Sequence, residues 1–212
     1  MSAPRKEPRQ KRSQFTFDVI LDAAARLFEE DGYKTTTTNK IAELAGVSIG
    51  TLYHYLPNKD ALLYALARRH YQRSSEWLRS RFATFTADDP ALADTVRQLV
   101  TEMAHRHNQE PHLNRLLHLQ AQRNLAGAQE SRALEAEFTA ALESQLRRMN
   151  VGGPDPYVTA MLVVQGIDAQ MHGGVIDLPP GRTIEDVIDI VSTMWIGALL
   201  ATGAPTDPAI EP

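Results

Sequence analysis

Residues 37–60 read TTNKIAELAGVSIGTLYHYLPNKD, and the rest of the chain is organised around them. Two short apolar-patterned segments, Thr38 to Ala45 and Ser48 to Tyr55, flank Gly46. A glycine at the point where two such segments must turn sharply is the layout of a helix-turn-helix, whose second helix enters the major groove of DNA. Ile41, Ala45, Val47, Leu52 and Tyr55 carry the spacing that locks two helices at a steep angle, and Ala42 is small at their crossing. Thr37 and Ser48 each stand where a hydroxyl can cap the helix that follows. Ile49, Gly50, Thr51, Tyr53 and His54 then project from the second helix, and such side chains are better suited to phosphate and base edges than to a core.

Working backwards, Thr35-Thr36-Thr37-Thr38 offers hydroxyls and a helix start to a DNA phosphate, which places Thr36, Thr37 and Thr38 among the expected contacts. Upstream, Ile20, Ala24, Leu27 and Phe28 form one apolar stripe of a first helix, expected from Thr16 to Glu30 and stopped by Asp31-Gly32. Residues 1–14 are basic and Pro-containing, a flexible arm that either enters the minor groove or is a solvated tail. Working forwards, Pro57 breaks the chain and Asn58 caps the next helix. Lys59 sits in its first turn, against the dipole preference, either as a phosphate contact or as a solvated lysine.

Charge agrees with this division. The net charge of the 212 residues is −4, yet residues 1–70 hold 11 Lys and Arg against 8 Asp and Glu, and the remainder 11 against 18. A basic head on an acidic body points to phosphate contact through the head alone. With no cysteine, disulfides, thiolate metal sites and thiol catalysis are excluded. No secretory signal follows the basic N-terminus, and the longest uncharged run, Ile190 to Pro205, is too short to span a bilayer. A cytoplasmic protein without membrane contact is expected.

The stretch ILDAAARLFEEDGY followed by TTTTNKIAELAGVSIGTLYHYLPNKDALL resembles the DNA-binding domain of TetR-family transcriptional regulators, with many residues matching at fixed offsets. One departure is Leu56, where the family commonly has an aromatic residue. The resemblance implies an all-α fold of about nine helices: an N-terminal three-helix domain (15–60) and a C-terminal helical ligand-binding and dimerisation domain (61–204), followed by a tail (205–212). It also implies a homodimer on a palindromic double-stranded operator, and repression relieved by a small-molecule effector. A TetR-fold protein whose body docks a protein partner instead is the alternative.

Beyond the head, a long helix is expected from Ala61 to near Phe85. Asp89-Pro90 and Asp155-Pro156 read as an N-cap followed by a first-turn proline, and Thr183 as the cap of a last helix over 184–202. The last two helices are broadly apolar. Met161, Gln165 and Asp168 on one, and Val187, Val191, Met194, Trp195 and Ala198 on the other, are the expected dimer surface, with burial inside the monomer the competing use. The family places its pocket among the middle helices. Trp77, Met103, His107, Leu116 and Leu117 are candidate contacts there, together with Gln120, Phe138, Gln165 and His172, although each is also ordinary core or surface material.

No metal and no cofactor are expected. His105 and His107 face different sides of a helix, Pro111 interrupts the register to His112 and His118, and no His-x-x-x-His occurs. An enzyme is not expected either: nucleophile elbow, phosphate loop and paired dinucleotide glycines are all missing.

Overall fold

The computed structural model describes residues 11–203, apart from residue 124 and the side chains of 121–126. Residues 1–10 of the expected arm and the tail at 205–212 lie outside the described residues. Within them the chain is all-α: α1 (Lys11–Glu30), α2 (Thr38–Leu44), α3 (Ile49–Tyr55), α4 (Lys59–Asp88), α5 (Leu92–Gln109), α6 (Pro111–Arg123), α7 (Leu125–Arg148), α8 (Pro156–Gln170) and α9 (Ile184–Thr202). A π-helical turn, Met171–Val175, continues α8.

The chain forms two compact units. The first takes the described residues up to Gln72 together with Glu110–Ser131, and the second Arg73–Gln109 with the residues from Arg132 onward. The first unit thus holds α6 together with the helices of the expected 15–60 domain. The reason is a polar dock plus two leucines. The Glu29 carboxylate of α1 accepts the backbone N–H groups of His112 (3.3 Å) and Leu113 (2.7 Å). A carboxylate at a helix start satisfies orphan donors and complements the dipole. Leu113 and Leu117 then join Ile20, Phe28, Ile41 and Leu62 in one buried cluster.

α1 also starts earlier than expected, at Lys11 rather than Thr16. Its first turns are held by α3: Ser13 Oγ lies 2.8 Å from the Tyr55 hydroxyl, and Phe17 meets the Tyr55 ring edge to face.

The second unit packs Phe82 and Phe85 of α4, Val100 of α5, Leu142 and Leu146 of α7, Ile167 of α8 and Ile188 of α9 into a second core. Two of the expected caps are present. Asp155 accepts the N–H of Val158 (3.1 Å), and Thr183 forms a reciprocal capping box with Asp186. Asp89 does not cap α5, which begins at Leu92. It ends α4 in a left-handed conformation (φ +49°), which a short polar side chain tolerates, and pairs with Arg148.

Trp195 of α9 lies across Gly166 of α8, its indole N–H donating to Gln170 Oε1 at 2.9 Å. A Cβ at residue 166 would run into the indole ring. Gly166→Ala is expected to lower stability by about 1–3 kcal/mol, the usual cost of overpacking. Urea unfolding of the variant beside the parent measures it, and an unchanged midpoint would contradict this packing.

Candidate nucleic-acid interface

The second helix of the motif is fixed from behind. Leu52 and Leu56 are fully buried and Tyr55 nearly so, which leaves the opposite face of α3 outward. Leu56, the residue that departs from the family pattern, lies wholly in this packing layer and not on the outward face. Gly46 takes φ +65°, the backbone angle the turn demands, and Val47 N–H reaches back to Ala42 O. Ser48 caps α3 by accepting Thr51 N–H at 3.0 Å, and Thr37 caps α2 by accepting Lys40 N–H at 3.3 Å.

On the outward face, Ile49 is 38% and Tyr53 42% exposed. His54 is exposed beside them, its ring edge-on to Tyr55. A side chain at Gly50 would meet only Ser48 Oγ, at 3.8 Å, so this point of the helix is open to close approach by a large partner. The Tyr53 hydroxyl lies 3.0 Å from Thr38 Oγ1, and Ser48 Oγ lies 2.8 Å from Thr51 Oγ1. Thr37, Thr38, Ser48, Thr51 and Tyr53 thus present hydroxyls from the starts of α2 and α3 and from the body of α3, next to Ile49, Gly50 and His54.

Two expected contacts are placed differently. Thr36 is buried, at 1% exposure, and its hydroxyl donates inward to Leu27 O (3.0 Å) and Gly32 O (2.8 Å). It closes the end of α1 and offers nothing to a phosphate. Lys59 is half-buried and turns back onto the chain: its ammonium donates to Tyr33 O at 2.6 Å and Thr36 O at 2.9 Å, and sits 4.4 Å above the Tyr33 ring. A cation in the first turn of α4 is tolerated because these carbonyls neutralise it locally. Tyr33 completes the clasp by donating to Asp60 Oδ1 at 2.6 Å. Burial, and then the Asp60 carboxylate, push the Tyr33 phenol well above its usual range, so it stays a donor at any physiological pH.

The candidates for a small-molecule pocket are divided between the two units. Leu116, Leu117 and Gln120 lie on α6, in the first unit, where Leu117 is core. Met103 and Phe138 are core of the second unit. The Trp77 indole donates to Glu102 Oε2 (2.8 Å), and Gln165 reaches out to Glu135 (2.6 Å). His107 and His172 do meet, ring to ring. Among the dimer candidates, Val191 is 5% exposed and belongs to the core, and Trp195 and Val187 pack against that core. Met161 is half-buried, whereas Gln165, Met194 and Ala198 are exposed. Three further apolar side chains on the same two helices, Val158, Leu162 and Ile190, are 40, 54 and 61% exposed.

Lys59→Ala is expected to cost about 2 kcal/mol of stability, since it removes two charge-assisted hydrogen bonds. It should leave the salt dependence of DNA binding unchanged. Ser48→Ala should cost about 1 kcal/mol through its cap. Urea unfolding and binding titrations over a salt series measure both; a flatter salt slope for Lys59→Ala would return that residue to the phosphate contacts.

Residues 20–66 match the family model described as bacterial regulatory proteins, tetR family. The chain is 43% identical over 54 residues to the HTH-type transcriptional repressor Rv1474c of Mycobacterium tuberculosis, covering 26% of this chain and 29% of that protein. The match therefore spans under a third of that relative's length. It is 27% identical over 187 residues to the HTH-type transcriptional regulator BetI of Burkholderia thailandensis, covering 81% of this chain and 91% of that protein. Among solved structures, FadR of Bacillus subtilis in complex with stearoyl-CoA superposes with a TM-score of 0.62 at 20% identity, over 85% of this chain and 97% of that one. These proteins are transcriptional regulators, not enzymes. The helix-turn-helix segment of the chain thus matches the model of the TetR family of bacterial regulatory proteins, and its helices are arranged as in this solved structure.

Proposed function

We propose that this protein is a cytoplasmic, homodimeric transcriptional repressor that binds a palindromic operator and is released by a small apolar or amphipathic effector. The observation that carries the reading is the outward face of α3. It is rigidly backed by Leu52, Tyr55 and Leu56, bare at Gly50, and edged by hydroxyls. Two such helices related by a two-fold axis enter successive major grooves about 34–36 Å apart. Thr37, Thr38, Ser48, Thr51 and Tyr53 hold phosphates and set register, while Ile49, Gly50 and His54 lie nearest the bases. Ile49 and Gly50 offer few hydrogen bonds, so groove shape contributes to specificity.

Support for the dimer comes from apolar side chains left exposed. Val158 and Leu162 stand four residues apart on α8, and Ile190 and Met194 four apart on α9, so each pair occupies one helix face. A second copy covering these faces makes a four-helix bundle about the two-fold axis. FadR, which shares the fold, holds stearoyl-CoA, and a mostly apolar body is compatible with an effector of that general kind here. Because α4 runs through both units, an effector that biases its position changes the spacing of the two heads and disfavours the DNA-bound state. Within the described residues no helix is long and apolar enough to cross a membrane, which fits a regulator that works on DNA.

Footprinting on the DNA upstream of its own gene should reveal a palindromic protected site; no protection there or at the neighbouring promoters would count against the reading. Tyr53→Ala should weaken binding to all sequences alike and leave the log–log salt slope unchanged, because a hydroxyl contact to a phosphate releases no counterion. Leu162→Lys and Met194→Lys should each yield folded monomers by sedimentation and abolish operator binding. Val191→Lys should instead unfold the body, because that side chain is core. A persistent dimer in both surface variants would refute the assigned interface.

A further inference from the structure

One group of side chains in the second unit lies apart from the helix-turn-helix. His107 near the end of α5, Asp168 near the end of α8 and His172 in the π-turn each bring one donor atom to a common point, with all three donors within 4.8 Å of one another. His172 Nε2 is 3.7 Å from Asp168 Oδ1, and the His107 and His172 rings meet edge to face with centroids 5.0 Å apart. The imidazole of His172 is 19% exposed and the carboxylate of Asp168 51%, so the point is sheltered on one side and open on the other.

Two details exceed what a simple histidine–carboxylate pair requires. His107 Nδ1 lies 2.8 Å from Met103 O. A carbonyl only accepts, so Nδ1 carries the proton and donates it, and in the neutral ring Nε2 keeps its lone pair. Metal-bound imidazoles are fixed in this manner, with the remote ring nitrogen anchored by a carbonyl or carboxylate. The second detail is the local backbone. Asp168 and His172 are four residues apart, hence on one helix face, and the switch to a π-turn begins at Met171, between them. Such turns inside helices concentrate at functional sites.

We propose that His107, Asp168 and His172 form a binding site for a first-row transition dication of the zinc, nickel or cobalt class. Two imidazoles and one carboxylate favour these ions over magnesium or calcium, which prefer all-oxygen surroundings. At metal–ligand bonds of about 2.1 Å, tetrahedral neighbours sit roughly 3.4 Å apart, so the 3.7 Å pair is nearly placed and the His107 donor, within 4.8 Å of both, draws in on binding. Three protein ligands leave a position for water or an external donor. A bound ion ties α5 to the end of α8 and so stiffens the body. The inference does not depend on the DNA-binding reading. Its sequence trace is Asp168-Ala-Gln-Met-His172, a carboxylate–imidazole analogue of His-x-x-x-His, completed by a histidine some sixty residues upstream.

The test uses the full-length chain, stripped with a chelator and titrated with cobalt(II), read by its visible ligand-field absorption and by metal analysis after dialysis. The expected result is one ion per chain and a raised melting temperature that chelator reverses. His107→Ala and His172→Ala should each weaken cobalt binding by at least about tenfold, a loss that even an outer partner of a metal site causes. His105→Ala should leave it unchanged, and circular dichroism checks that each variant is folded. If a variant fails to fold, X-ray absorption of the zinc-loaded parent decides: two imidazole scatterers support the site, and any other number overturns it. A parent chain that takes up no cobalt, or variants that bind it as the parent does, would also overturn it, leaving an ion pair and a ring stack.

Discussion

The head depends on one ammonium group. Lys59, at the first position of α4, donates into the carbonyls of Tyr33 and Thr36, the chain that carries α1 over to α2. Helix ends expose carbonyls and connecting segments expose more, and each needs a donor where water is scarce. A flexible four-carbon stem that brings three donors to one point meets several of these needs together. Thr36 contributes from the other side by turning its hydroxyl inward to α1. The start of α2 is thereby fixed against both α1 and α4, and α3 follows through the short turn at Gly46. The hydroxyl link between Thr38 and Tyr53 then joins the start of α2 to the body of α3.

Most helices are legible in the sequence because apolar periodicity, prolines and capping residues act locally. The expected last helix, 184–202, is matched by α9 at Ile184–Thr202, bounded by the Thr183 box. What periodicity does not carry is the choice between two usable faces. On a helix as apolar as α9, Val191 and Met194 look equivalent in sequence, yet one is core and the other faces out. The deciding factor is Trp195 settling over Gly166, a contact between helices that neither residue announces alone. Likewise a row of threonines reads as a row of hydroxyls. Which of them turns inward depends on carbonyls as far as nine residues earlier, and that decides Thr36.

Asp89 and α6 show the same limit at larger separations. Asp-Pro is a sound cap signal by itself, but Arg148 lies fifty-nine residues downstream and gives Asp89 a partner while it ends α4. Glu29 looks, in sequence, like any solvated acid at the end of an amphipathic helix. The value of its two oxygens shows only when the start of α6, eighty-three residues later, is placed beside it. The cluster of His107, Asp168 and His172 is hidden for a related reason. The histidines nearest to His107 in sequence are His105 and His112, whereas its partners in space are Asp168 and His172.

The membership of α6 has a consequence for how the protein is put together. The chain leaves the first unit after Gln72, returns at Glu110 and leaves again after Ser131. The head is therefore not a bead on a string. A fragment ending where the family pattern ends would lack Leu113 and Leu117 and would uncover the side of the head that they fill. Cutting or transplanting the DNA-binding segment as a contiguous piece removes part of its own interior. Exchange of heads between relatives would have to carry α6 along, or replace the apolar surface and the Glu29 dock that it satisfies.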